Sequence, residues 1–171
     1  MRKLLGAAAI LLASLLAACL RLRAEGERLR LLRALSQSLL LLRSELSERQ
    51  RGLSDCFCIL AQKTGNDVVA LFYSMLAEEM DALGEKSFAE IWRCAAGKCF
   101  SSQGESILEL IVPLGACLGG SELARQCAAL DDAARRLEGE EAAERERFRA
   151  GKKLRVALCL SAGAFLVIML I

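Results

Sequence analysis

Four cysteines are the residues of this chain whose types and spacing could do chemistry. Cys56 and Cys58 form a C-x-C pair, and Cys94 and Cys99 form a C-x-x-x-x-C pair. Four thiolates can hold zinc tetrahedrally, but residues two apart on a helix point about 200° away from each other. Neither spacing is the C-x-x-C of common zinc sites. We therefore expect no metal or cofactor and interpret these cysteines as small core residues, with a zinc site as the alternative.

Residues for other catalytic chemistries are missing. The chain has no histidine, so it lacks the usual base at neutral pH and the commonest metal ligand. The pairs Gly97-Lys98 and Gly151-Lys152 lack both the earlier glycine and the following Ser or Thr of a phosphate-binding loop. Acidic pairs such as Glu78 and Glu79 indicate solvated helix faces rather than acid–base groups. The sequence thus predicts a non-enzymatic protein without catalytic residues.

The apolar residues are concentrated at the two ends of the chain. They make up 54% of the sequence, and residues 4–20 and 156–171 carry no charge. Because a hydrocarbon core of about 30 Å needs about 20 helical residues at about 1.5 Å each, we predict membrane-spanning helices at 1–20 and 154–171. Residues 21–153 form the domain between them.

The charges predict which side of the membrane the domain occupies. Of 23 basic residues only Arg2 and Lys3 lie outside residues 21–155, leaving 21 against 21 acidic residues, which argues against nucleic-acid binding. Positive flanks prefer the cytosolic side. Such flanks lie on the domain side of both segments. They are Arg21, Arg23 and Arg28 after the first segment, and Lys152, Lys153 and Arg155 around the start of the second. The sequence therefore predicts a cytosolic domain.

An exported lipoprotein is the alternative. Leu16-Ala17-Ala18-Cys19 resembles a lipobox, so Cys19 could carry lipid and the domain could be a binding protein outside the membrane. The segment that follows is rich in arginine and has a helical pattern, unlike a flexible polar tether. Free cysteines in the middle of the chain also favour a reducing compartment.

The domain itself is predicted to be all-helical. A first amphipathic helix is indicated by a stripe at spacings of three and four: Leu29, Leu32, Leu35, Leu39, Leu42 and Leu46. A short helix at Asp55 to Thr64 follows, and Asn66 is expected to cap a helix from Asp67 to Leu83. Leu71 is one of the apolar residues of this helix that are expected to face the core.

Helix signals continue in the second half of the domain. SFAE at 87–90 is a capping box, and Pro113 predicts a kink in a helix at Glu105 to Leu118. Ser121 is expected to cap the last helix, and its charged segment at 139–153 to be solvated or packed only through Phe148. Because the first and last helices both lead to the membrane, we expect them to pair antiparallel, through the last helix's stripe of Leu123, Cys127, Leu130, Ala134 and Leu137.

Several segments, in order, resemble stage III sporulation protein AB. They are KLLGAAAILLAS at 3–14, FAEIW at 88–92 with Trp92, LGACLGGSELARQ at 114–126 and FLVIMLI at 165–171. The positions most specific to the family are Leu114, Gly115, Ser121, Glu122 and Gln126. Glu122 stands where the family pattern has aspartate.

The resemblance implies a membrane scaffold subunit of the transenvelope complex between mother cell and forespore, of the SpoIIIA–SpoIIQ type. It implies a location in the mother-cell membrane surrounding the forespore, with the domain in the cytosol. By similarity to the cytoplasmic domains of type II secretion platform proteins, the partners would be a cytosolic SpoIIIAA-like ATPase and other SpoIIIA-type membrane subunits. A homo-oligomer remains an open alternative.

Overall fold

The structure, a computed structural model, describes residues 26–82, 84–120 and 122–170, with side chains in the last helix described as far as Gly151. Within these ranges there is no strand, so the all-α prediction is confirmed. The first helix, α1, covers residues 26–47 of the described chain. It is followed by α2 (Leu53–Lys63), α3 (Asp67–Glu79), α4 (Phe88–Phe100), α5 (Glu105–Leu118) and α6 (Leu123–Leu170), with 3-10 turns at Met80–Ala82 and Ser101–Gln103.

Side-chain caps fix where α3 and α4 begin. The Asn66 side chain accepts hydrogen bonds from the amides of Val68 and Val69. At α4 the Ser87 hydroxyl accepts from the Glu90 amide, and the Glu90 carboxylate accepts from the Ser87 amide at 2.9 Å. The bonds that the Ser87 amide and hydroxyl donate to the Glu90 carboxylate hold the pKa of that carboxyl below its usual range. Both predicted caps are confirmed, because each needs only residues within one turn.

Helices α1 and α6 pair antiparallel, as predicted. Three polar contacts join them: Arg28 to Glu144 (3.4 Å), Ser36 to Glu138 (3.2 Å) and Arg43 to Asp131 (3.2 Å). The residue numbers increase along α1 while those of the partners in α6 decrease, so the two helices run in opposite directions. At about 1.5 Å per residue these contacts cover about 22 Å of α1. The charged segment of α6, predicted to be solvated or packed only through Phe148, therefore also contacts α1 through Glu144.

One hydrophobic core joins the described helices. The α1 leucines Leu32, Leu35, Leu39 and Leu42 are fully buried in it together with Leu130, Ala134 and Leu137 of α6. Two inward assignments were wrong, because Leu71 is 55% exposed and Leu123 is 42% exposed. In α3 the buried face carries Val69, Phe72, Tyr73 and Leu76. That helix has apolar residues on both faces, so periodicity could not choose the inner one.

An aromatic cluster fills the space between α2, α3 and α4. Phe72 lies edge-on to Trp92 with ring centroids 5.0 Å apart, and Phe57 stacks on Tyr73 at 6.0 Å. The polar end of the Tyr73 ring connects the cluster to α1. The Tyr73 and Ser38 hydroxyls lie 3.0 Å apart and share a hydrogen bond to α1, and burial raises the Tyr73 pKa.

The predicted membrane segments, 1–20 and 154–171, lie outside the residues whose side chains are described. Among the residues that could be searched, no helix combines the length and the apolar character needed to cross a membrane.

Neighbouring leucines in α1 test this core directly. Leu39 is fully buried and Leu40 is 40% exposed. We expect Leu39→Ala to lower the free energy of unfolding by about 2–5 kcal/mol, because it removes buried contacts and leaves a cavity. Leu40→Ala should cost less than about 1 kcal/mol. Urea unfolding followed by circular dichroism measures both, and equal costs would contradict the assigned inner face of α1.

Candidate functional site

The family-pattern residues that the structure describes lie where α4, α5 and α6 join, a region that we call the corner. Trp92 in α4 is fully buried, and its indole Nε1 donates a hydrogen bond of 2.8 Å to the Ile111 carbonyl in α5. Leu114 of α5 is buried in the same core. A buried indole N–H needs an acceptor, so this bond fixes where α4 crosses α5.

Two glycines let α5 approach α4 closely. A Cβ atom at Gly115 would lie 2.8 Å from Trp92 Cβ, and one at Gly119 would lie 2.9 Å from Phe88 Cβ. Both glycines and both aromatic residues are four positions apart on their helices, so they form matching rows on facing surfaces. A glycine is required at Gly115 by this contact, which the sequence pattern alone could not reveal.

Gln126 connects the start of α6 to the end of α5. Its side-chain Nε2 donates a hydrogen bond of 2.9 Å to the Leu118 carbonyl, one of the carbonyls that a helix end leaves without an intrahelical partner. The Glu122 carbonyl accepts the amides of Arg125 and Gln126, while its side chain is exposed. Ser121 lies outside the described residues. The corner therefore joins Trp92, Gly115 and Gln126 and sets the angles between three helices.

Sequence reasoning missed a second tertiary contact, centred on Arg28. Its guanidinium donates to the Gln103 carbonyl at 2.6 Å and to the Ser106 hydroxyl at 3.3 Å, besides its contact with Glu144. Gly104 lies against it with φ +115°, where a Cβ would be 2.8 Å from Nη1. Arg28 thus joins α1 to α5 and α6. Its role in membrane topology stays a prediction, and the other flanking cations, at 21, 23, 152, 153 and 155, lie outside the described side chains.

A buried carboxylate closes the turn between α1 and α2. Glu45 is 1% exposed and pairs with Arg49 at 3.2 Å and Arg51 at 3.5 Å. The Arg51 amide also donates to the Glu45 carbonyl. The spacing of Glu45 and Arg49 is typical of a surface ion pair within one helix, and no pattern in the sequence indicates that this acid is buried.

The four cysteines weighed as a zinc site do not share one environment. Cys56 and Cys99 are buried, whereas Cys58 and Cys94 are exposed. Burial raises the pKa of the Cys56 thiol to about 11, with the Glu45 carboxylate adding to the shift, and burial also raises that of Cys99. Among the described residues, no group of three or more His, Cys, Asp or Glu side chains is placed to hold a metal ion.

These contacts define an all-helical domain whose geometry comes from helix packing and whose first and last helices pair. The chain belongs to the stage III sporulation protein AB family, whose sequence pattern matches residues 3–171. A solved structure of stage III sporulation protein AB (SpoIIIAB) shares the fold with a TM-score of 0.64, over 72% of this chain and 97% of that chain, at 22% identity. A comparison with curated proteins found no match.

Two helical glycines test the corner. Gly115→Ala should lower the free energy of unfolding by about 1–3 kcal/mol, because its methyl group overlaps the Trp92 side chain. Gly97→Ala in α4 is the matched control, since a Cβ there meets nothing within 4 Å. It should stabilise by about 0.5–1 kcal/mol through helix propensity. Thermal unfolding measures both, and a Gly115→Ala protein as stable as Gly97→Ala would contradict the close approach of α4 and α5.

Proposed function

We propose that this protein is a non-enzymatic platform subunit of the SpoIIIA–SpoIIQ type of sporulation complex. Membership of the stage III sporulation protein AB family supports participation in that complex. In this proposal, residues 1–20 and 154–171 anchor the protein in the mother-cell membrane surrounding the forespore, and 21–153 lie in the cytosol. The domain docks a SpoIIIAA-like ATPase and contacts other SpoIIIA-type membrane subunits.

The antiparallel pairing of α1 and α6 is the observation that carries this proposal. The contact of Arg28 with Glu144 lies at the end where α1 leads back toward the first apolar segment and α6 leads on toward the second. Two segments that leave a domain at the same end can enter the same leaflet. The arginines after residue 20 and the basic residues around 153 then both favour a cytosolic domain.

The packing also supports a mechanical role. Arg28 joins α1 to α5 and α6, and the corner joins α4, α5 and α6 through Trp92, Gly115 and Gln126. A domain whose helices are tied at both places moves as one body. A displacement imposed by a bound ATPase would therefore reach both anchors rather than being absorbed between helices.

Exposed cysteines test the proposed orientation. In intact protoplasts that express the full chain, a membrane-impermeant maleimide should leave Cys58 and Cys94 unlabelled, and it should label both after lysis, because both are exposed. Cys56 should stay unlabelled in native protein, since burial and its raised pKa keep the thiol protonated. Mass spectrometry of the peptides measures labelling, and Cys58→Ser/Cys94→Ser is the control.

Labelling of Cys58 and Cys94 in intact protoplasts would place the domain outside and contradict the proposal. Incorporation of a labelled fatty acid that disappears in Cys19→Ser would support the exported lipoprotein instead.

Copurification tests the docking function. The tagged full chain, extracted from membranes in mild detergent, should retain the SpoIIIAA-like ATPase well above the amount retained by an unrelated membrane protein with one anchor. Gly115→Ala, which is expected to disturb the corner, should retain less than the Gly97→Ala control. ATPase recovery no greater than with the unrelated protein would reject the ATPase as a partner.

A further inference from the structure

A groove lies between α1 and the turn that joins α2 to α3. It encloses about 900 Å³ and is lined on α1 from Glu27 to Leu41 and on the opposite wall from Lys63 to Val68. Along α1 this is about 21 Å at about 1.5 Å per residue. Gln103 also lines the groove, and Arg28 near the start of α1 holds its carbonyl.

Apolar side chains form part of the groove's lining, and we call this part the floor. Ala34, Leu41 and Val68 line it and are only partly buried, although they pack against the core. Ser38 lines it too, and its hydroxyl is held by the Leu35 carbonyl at 2.8 Å and by Tyr73. The floor is therefore preformed, which lowers the cost of ordering on binding.

The rim carries more positive than negative charge. Arg30, Arg33 and Lys63 stand against Glu27 and Asp67, and all five are exposed. None of the three cations has an ion pair within the part of the chain that the structure describes, whereas Arg28 and Arg43 on the same helix are paired. Asp67 lies in the first turn of α3, where the positive end of the helix offsets its charge.

A groove of this length, with an apolar floor and a cationic rim, fits an amphipathic segment with an apolar stripe and acidic flanks. About 21 Å accommodates about 14 helical residues, and such helices bind by laying their apolar face into a groove. A membrane surface fits less well, because the groove extends along α1 away from the predicted anchor and a bilayer would reach only one end. We propose that this groove docks an acidic amphipathic segment of another protein of the complex. The inference rests on the proposed platform role.

Peptide binding to the full chain in detergent tests this inference. The probe is a fluorescent 14-residue helical peptide with a leucine stripe and glutamate flanks, and its matched control has lysine flanks. Anisotropy should show the glutamate peptide binding at least about 10-fold more tightly. The triple variant Arg30→Glu, Arg33→Glu and Lys63→Glu should weaken it by at least about 10-fold.

Two further variants separate the groove from general charge attraction. Reversal of three exposed cations elsewhere, Arg93→Glu, Arg125→Glu and Arg149→Glu, should leave the affinity within about 2-fold. Ala34→Phe fills the floor without a change of charge and should weaken binding by at least about 5-fold. Equal loss in both triple variants, or no loss in the groove variants, overturns the inference.

The remaining outcomes distinguish the partner. Displacement of the peptide by soluble dihexanoyl phosphatidylglycerol from the unmodified protein would assign the groove to lipid headgroups and overturn the inference. Specific peptide binding by a chain that retains no ATPase in copurification would reject the docking function and leave the groove standing. Retained ATPase without peptide binding would reject the groove alone.

Discussion

The antiparallel contact between α1 and α6 organises the rest of the molecule. The leucine stripe of α1 needs apolar partners, and Leu130, Ala134 and Leu137 join it in the core from the other end of the chain. Polar contacts at three levels, from Arg43 to Arg28, fix the register of the two helices. Surface ion pairs contribute little stability each, so the buried stripe stabilises the pair and the polar contacts select its alignment.

The helices between α1 and α6 are held by shape rather than by charge. Trp92 contributes its large apolar surface, and its single polar atom reaches the Ile111 carbonyl. Gly115 makes room for that ring because it has no side chain. Such a contact tolerates little change in volume, since protein interiors are closely packed. Trp92 and Gly115 therefore set the angle at which α4 and α5 cross.

The charges of α1 have two different roles. Arg28 and Glu45 are engaged inside the domain, where they join α1 to α5 and α6 and close the turn to α2. Arg30 and Arg33 lie between them in sequence and face the groove. Within one helix, then, some charges stabilise the fold and others are available to a partner. In the proposed platform, the anchors position the domain and the groove recruits what the domain must hold.

The sequence by itself determined the features that depend on neighbouring residues. The caps at Asn66 and Ser87 and the stripe of α1 follow from spacings of two to four residues. The pairing of α1 with α6 was predicted from two apolar stripes on helices that both lead toward the predicted membrane segments. Tertiary structure decided which face of α3 turns inward, leaving Leu71 exposed, and where the Arg28 side chain goes. Its partners lie more than 70 residues away in sequence, and such contacts depend on how whole helices pack, which no local pattern encodes.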